Sequence, residues 1–351
     1  VVLLNSENSK LFAHAADVAF LSVTPFPSCS WTSRCRAYRS DLDEEHGGTR
    51  YSSRGGAIAA LEISSKAQAR SSPRCILSSI QVWLAVRFCR RELLELGDIV
   101  KLTAIFSDIH SNIEALTSVI KDAEEHGVER FVCLGDVIGY GPCPTDCVDV
   151  ARSRFDFTLL GNHEEAVLFG AIGFNPKAKA AVDWTRAQLH RDDQGAEVRN
   201  ERWQFLGELP LHVAADNDVL YVHGSPRDPT REYIFPTDVL NPEKLHGVFT
   251  HVDRLSFNGH THAPGVMSED GIFRLPQDVD NVYVLDDEKV IINVGSVGQP
   301  RDGDNRSSYA IFDGERITFR RVAYDIDKTV AVMNTISELP EYLALRLKEG
   351  R

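Results

Sequence analysis

From Leu102 onward this chain shows a regular alternation of apolar and polar positions, and before it none. Leu102–Ser107 is a short apolar run suited to a buried strand. Over Asn112–His126, Ile113, Leu116, Val119, Ile120 and Ala123 recur at helical spacing, and Gly127 is placed to end that helix. Phe131–Leu134 predicts a second strand, Pro144–Arg154 a second helix and Phe157–Leu160 a third strand. This strand–helix alternation with short turns is an α/β layout. Residues 176–209 read as a polar helical insertion with Trp184, Leu189, Trp203, Phe205 and Leu206 as its packing residues. The remainder is strand-rich: Leu220–Val222, Leu255–Phe257, Val282–Leu285, Val290–Val294, Tyr309–Phe312 and Ile317–Val322. Asp286-Asp287 and Asp313-Gly314 are expected to turn hairpins, and Asp325–Leu347 to close the chain as helix.

Residues 1–99 differ in kind. They hold fifteen serines, scattered arginine and cysteine, and no sustained period of 3.6 or 2.0 residues. The first methionine is Met267 and the chain opens on Val1. The reading favoured here is that residues 1–99 are upstream sequence translated in error, with the domain starting at a valine-encoded codon, Val100. A disordered or targeting extension is the alternative. The domain itself is expected to occupy residues 100–351.

Charge sharpens this division. Residues 1–99 carry 12 Lys/Arg against 10 Asp/Glu, whereas residues 100–351 carry 26 against 41, a balance of −15. Such an acidic body, with no run of basic residues, disfavours long DNA or RNA and leaves a small phosphorylated molecule as the expected partner. Seven cysteines, an odd number without paired metal-ligand spacing, fit reduced thiols in a cytoplasmic protein. The apolar stretches Leu11–Phe26 and Cys75–Phe88 are too short and too interrupted to span a bilayer, so no membrane partner is expected.

Five short segments carry chemistry, each at the end of a predicted strand: Asp108-Ile109-His110, Gly135-Asp136, Gly161-Asn162-His163-Glu164, His223-Gly224 and Gly259-His260-Thr261-His262. Strand ends of an open α/β sheet are where loops converge on a site. Oxygen and imidazole donors without sulfur suit divalent manganese, iron, zinc or nickel. Taken singly, Asp108 reads as a helix cap, Asn162 as a turn residue, and His110 or His223 as surface polar residues. Five such segments in this order make coincidence improbable.

The order D-x-H, G-D, G-N-H-E, H, G-H-x-H resembles the calcineurin-like metallophosphoesterase superfamily over roughly residues 102–325. The segment Asn293–Arg301 is also similar to its small prokaryotic phosphodiesterase-like branch. The resemblance implies a four-layer α/β/β/α sandwich. It implies that Asp108, His110 and His262 hold one metal, that Asn162, His223 and His260 hold a second, and that Asp136 bridges them. Two divalent ions, manganese first among them, would activate a shared hydroxide for in-line attack on phosphorus. His163 would bind no metal and would stabilise the phosphoryl oxygens or protonate the leaving group. Glu164 or Glu165 would orient it, or simply start a helix.

Substrate contacts are expected from Arg301, as a bidentate phosphate donor or as a surface partner of Asp302 or Asp304. Tyr140 beside the Gly139–Pro142 loop, and Arg227 with Arg231 and Tyr233 in the 225–250 loop, are further candidates. His212, His246 and His251 are read as surface histidines. The implied activity is hydrolysis of a phosphodiester or phosphomonoester, with a phosphoprotein phosphatase or a dinucleoside polyphosphate hydrolase as alternatives. A protein-binding scaffold on the same fold is the non-enzymatic alternative, and the presence of every metal-motif residue argues against it.

Overall fold

A computed structural model gives the fold of residues 101–215 and 218–351. The expectations for residues 1–99 lie outside the described residues. Two six-stranded sheets stack face to face. The first runs β3(Phe157–Thr158), β2(Arg130–Cys133), β1(Thr103–Phe106), β11(Ser307–Phe312), β12(Arg316–Val322), β9(Val282–Val284). The second runs β4(His212–Ala215), β5(Val219–Val222), β6(Leu255–Asn258), β10(Val290–Asn293), β7(Gly265–Ser268), β8(Phe273–Arg274).

The two-residue period of a strand sorts its side chains into layers. In the first sheet Ala104, Phe106, Phe131 and Cys133 face a helical layer, where they meet Leu116 and Val119 of α1(Ile113–Glu125) and Val148 of α2(Pro144–Arg154). Ile105 and Val132 point the other way. They pack between the sheets against Tyr221, Phe257, Val290 and Ile292. On the far face Ile291 meets Leu245, Val248 and Phe249 of the short helix α6(Pro242–Phe249). The layers are therefore α/β/β/α, as the resemblance implied.

The insertion at 176–209 is helical as expected and consists of two helices, α4(Pro176–Leu189) and α5(Ala196–Gly207). No apolar residue lies between Arg191 and Gln194 to continue the first helix, and the Trp203 indole donates to the Leu189 carbonyl at 3.0 Å, satisfying its end. Ala181 and Trp184 pack on α7(Ile326–Met333) and α8(Glu341–Glu349), the two segments of the predicted terminal helix.

Other expectations need correction. Asp286-Asp287 does not turn a hairpin: β9 pairs with β12 in the first sheet and β10 with β6 and β7 in the second, so this turn crosses between sheets. Asp313-Gly314 does turn one, between β11 and β12. His212, His246 and His251 are exposed, as expected, with His212 opening β4 and His246 on the outer side of α6. No helix among the described residues is long and apolar enough to cross a membrane.

Candidate metal centre

β1, β2 and β3 are parallel in the first sheet, and β5 and β6 are parallel in the second. Their C-terminal ends deliver Asp108, Asp136, Asn162, His223 and His260 to one place. Backbone pairing continues past the strands: the amides of Asp108, His110 and Ser111 donate to the carbonyls of Gly135, Asp136 and Val137 at 3.0, 2.9 and 2.8 Å. Asp108, His110, Asp136, His260 and His262 all take positive φ, between 48° and 65°. Each such non-glycine conformation costs about 1–3 kcal/mol and persists only where its surroundings impose it.

Those surroundings are identifiable. Ser296 donates its hydroxyl to the Asp108 carbonyl at 2.8 Å, and the Gly298 amide donates to the same carbonyl at 2.9 Å. A side chain at 298 would not fit, because a Cβ there would lie 1.7 Å from the Ile109 carbonyl oxygen. Gly259 is equally confined, with a Cβ position 2.4 Å from Asp108 Oδ2. The Asn293–Arg301 segment is thus the scaffold of the Asp108 and His262 loops.

The imidazoles are oriented from behind. Nδ1 of His110 donates to the Ile138 carbonyl at 3.2 Å and Nδ1 of His262 to the Gln299 carbonyl at 2.6 Å. Their Nε2 lone pairs then face each other at 3.1 Å. Nε2 of His260 donates to the Arg231 carbonyl at 3.2 Å, leaving Nδ1 3.1 Å from Nε2 of His223. Between His110 and His262, two lone pairs at that distance repel unless a cation lies between them.

The carboxylates complete both groups. Asp108 Oδ1 lies 3.1 Å from His262 Nε2 and 3.7 Å from His110 Nε2, yet makes no aligned hydrogen bond. Asp136 Oδ1 accepts from the His163 amide at 2.8 Å, while its Oδ2 lies 3.7 Å from His110 Nε2 and 3.4 Å from His223 Nε2. Asn162 Oδ1 stands 3.1 Å from His223 Nε2. The donor atoms form three groups, Asp108–His110–His262, Asp136–His223–His260 and, between them, His110–Asp136–His163.

Electrostatics points the same way. Burial opposes ionisation of Asp108 and Asp136, but the surrounding histidines outweigh it and hold both carboxyls well below the usual range. Burial works against a charged His223 as well. Asp136 and Asp108 overcome it and raise the imidazole to about 9. The buried carboxylates of Asp136 and Asp108 thus favour positive charge at this place. His110, His260 and His262 are pushed down chiefly by burial, and a metal ligand must be an unprotonated ring.

The comparisons with known proteins decide the family. Residues 102–316 match the calcineurin-like phosphoesterase superfamily domain. The chain belongs to that superfamily. An uncharacterised protein of Methanocaldococcus jannaschii is 37% identical over 262 residues, 71% of this chain and 98% of that one. A metallophosphoesterase from Sphaerobacter thermophilus is 38% identical with a TM-score of 0.58, covering 72% of this chain and all of that one. A hypothetical protein from Pyrococcus horikoshii OT3 has a TM-score of 0.56 at 17% identity over 71% of this chain and 98% of that one, which shows the shared fold. The protein is accordingly a hydrolase of phosphoester bonds, from a family that uses divalent metals.

Within this superfamily member the remaining expected residues fall on both sides of the cleft. His163 is buried, edge-on to Tyr140 at 4.4 Å, Phe174 at 5.2 Å and His110 at 4.8 Å. Burial, opposed by Asp136 and assisted by Arg301, lowers its imidazole to about 4. Its neighbours Tyr140 and Phe174 border a cleft of about 260 Å³, lined also by Asn162, Glu165, Tyr233 and His260 among others. Tyr233 stacks on His260 with ring centroids 3.7 Å apart.

Arg301 does not pair with Asp302 or Asp304, which are taken by Arg321 and Arg306. Its guanidinium lies over Tyr140, 5.8 Å from the ring centroid. Arg227 pairs with Glu232 and is not among the residues lining the cleft. Arg231 pairs with Glu165 at 2.7 Å and does line it, so neither Glu165 nor Glu164 orients the His163 ring. Glu164 sits at the start of α3(Asn162–Phe169), completely buried, and its carboxylate accepts from the amides of Asp136, Ile138 and Gly161. Gln299, Phe174 and Glu164 are the site residues that sequence reasoning missed or under-read. For Glu164 the signal was its place three residues beyond Gly161, where a helix N-terminus takes an acceptor.

Proposed function

We propose that this protein is a dinuclear metal-dependent phosphoesterase acting on a small phosphorylated substrate. Asp108, His110 and His262 form one ligand set, Asn162, His223 and His260 the other, and Asp136 is shared. The observation that carries the reading is the position of Asp136 Oδ2, 3.7 Å from His110 Nε2 and 3.4 Å from His223 Nε2, between the two groups. Two divalent cations, manganese in our reading, supply there an activated water and charge to offset the phosphoryl oxygens.

The chain's own residues do the rest. Asp108 and Asp136 bring buried negative charge that favours cation binding, and the carbonyls of Ile138, Gln299 and Arg231 fix which ring nitrogen each histidine presents. His163 binds no metal. At neutral pH its imidazole is uncharged, so in the resting site it donates an N–H to a phosphoryl oxygen rather than standing ready as an imidazolium. Phe174 and Tyr140 pack its ring on two sides and exclude water from it. A cytoplasmic location is part of the reading, motivated by an odd number of cysteines without a disulfide framework in the sequence.

Hydrolysis of bis-p-nitrophenyl phosphate and p-nitrophenyl phosphate, with manganese and with chelator, tests the reading. Manganese-dependent release of nitrophenol from at least one ester is expected. Preference for the diester assigns a phosphodiesterase, and turnover of the monoester alone a phosphomonoesterase. No hydrolysis of either by metal-loaded protein would contradict the reading and favour a scaffold.

A further inference from the structure

The cleft of about 260 Å³ brings the proposed metal ligands Asn162 and His260 together with rings from both halves of the site. Phe174, between α3 and α4, and Tyr140, after β2, reach it from the first sheet, each edge-on to His163. Tyr233, between β5 and α6, reaches it from the second. Its ring stacks on His260 with the planes 19° apart. Phe235 stacks on Tyr233 in turn, with centroids 5.2 Å and planes 7° apart.

The polar groups lining this cleft are already engaged. Its only carboxylate and its only guanidinium, Glu165 and Arg231, hold each other through two hydrogen bonds, at 2.8 and 2.7 Å. Asn175 Oδ1 accepts from the Ala178 amide at 3.0 Å and caps α4. Asn162 Oδ1 faces His223. What the cleft still offers is apolar. Ile172 lines it beside Phe174, Ala166 and Ala178, yet is 87% exposed. Neither flanking glycine, Gly170 or Gly173, has an atom within 4 Å of where a Cβ would stand. Scattered apolar residues on a surface are ordinary, but this one borders a reactive cleft, where a bound apolar group would give it the burial it lacks.

We infer that the cleft takes the alcohol portion of the substrate as a single uncharged aromatic ring, held against Phe174, Ile172 and Tyr233. This inference rests on the phosphoesterase reading above and narrows it to aryl esters. Aromatic residues on both sides favour a flat group, which meets rings edge-on or offset. The self-paired Glu165 and Arg231 leave no free charge for an ionised one. The volume lies just under the range of about 300–1,000 Å³ usual for small-molecule sites, which suits one ring better than a nucleoside.

The test uses the full chain loaded with manganese, titrated calorimetrically with phosphonates that share one head group and cannot be hydrolysed. In benzylphosphonate a methylene stands where the ester oxygen of an aryl phosphate would be. It is expected to bind at least about tenfold more tightly than methylphosphonate, the effect of withdrawing roughly 55 Å² of apolar surface from water. It should also bind about two- to tenfold more tightly than cyclohexylmethylphosphonate, which is apolar without being flat. Ile172→Ser should cut the benzyl-to-methyl ratio at least about threefold, and Ile172→Val should keep it. Because Ile172 is exposed, neither change should move the unfolding midpoint.

No detectable binding of benzylphosphonate, affinity equal to that of methylphosphonate, or a ratio unchanged in Ile172→Ser would overturn the inference. Equal binding of the cyclohexylmethyl compound would overturn the aromatic assignment. Binding of 2-aminoethylphosphonate or 3-phosphonopropionate as tightly as benzylphosphonate would show that the Glu165–Arg231 pair opens for a charged substrate, and would equally overturn it. A benzyl preference in a protein that hydrolyses neither nitrophenyl ester leaves the ring pocket standing and removes the catalytic reading. Hydrolysis without that preference does the reverse.

Discussion

Glu164 holds Asp136 from behind: its buried carboxylate accepts the Asp136 amide at 2.8 Å, so the residue proposed to bridge two metals is fixed by an acid that faces neither. The same carboxylate takes the amides of Ile138 and Gly161, each at 3.0 Å. It therefore ties the β2 loop to the start of α3, and with it Asp136 to Asn162.

Glu164→Ala should accordingly damage stability and metal binding together. It leaves three buried amides without an acceptor, at about 1–3 kcal/mol each, so a loss of at least about 3 kcal/mol in urea unfolding is expected. Glu164→Gln keeps an acceptor oxygen and should lose less. Unchanged unfolding midpoints in both variants would remove Glu164 from this role.

For His163 the expectation is the opposite separation. Its ring lies within reach of the His110–Asp136 donor atoms, yet both of those already serve the flanking groups. His163→Ala should lower kcat by about two to four orders of magnitude with metal content intact. Elemental analysis showing an equal loss of metal would make His163 a ligand instead.

Away from the site, Asp122 of α1 accepts from Arg320 through both oxygens, at 3.1 and 2.8 Å, and from the Tyr309 hydroxyl at 2.6 Å. Burial works to raise this carboxyl, but the Arg320 and Tyr309 hydrogen bonds win and hold it below its usual value. A carboxyl depressed in the folded state adds stability that is complete above its unfolded pKa of about 4 and is lost as pH falls through the folded value. Asp122→Asn should thus be destabilised by about 1–3 kcal/mol at pH 7, and the gap to the unmodified protein should close below about pH 4. Parallel thermal unfolding curves from pH 7 to pH 3 check this; a constant gap would contradict it.

How much of this was legible in the sequence depends on what local pattern can carry. Asp108, His110, Asp136, Asn162, His223, His260 and His262 each follow a strand whose apolar run is unmistakable, and the structure brings all seven together. The break in the insertion, at Gly195, was less visible because polar helices leave weak periodicity. β7 and β8 escaped because a four-residue strand opening on Gly265 and a two-residue strand show no alternation to read. α6 was missed despite a usable signal, Asn241 capping a helix with Pro242 at its first position. The crossing at Asp286-Asp287 had no local signature, since sheet membership is decided by distant strands. Arg346 belongs to the same class: nothing near it in sequence indicates that α8 returns it to a hollow beside Tyr140.

Electron paramagnetic resonance of the protein loaded with two equivalents of manganese tests the central claim most directly. A carboxylate shared through Asp136 couples the two spins, so the account predicts an exchange-coupled dinuclear signal that Asp136→Asn abolishes. A simple six-line spectrum of isolated manganese at two equivalents bound, unchanged by that substitution, would contradict it.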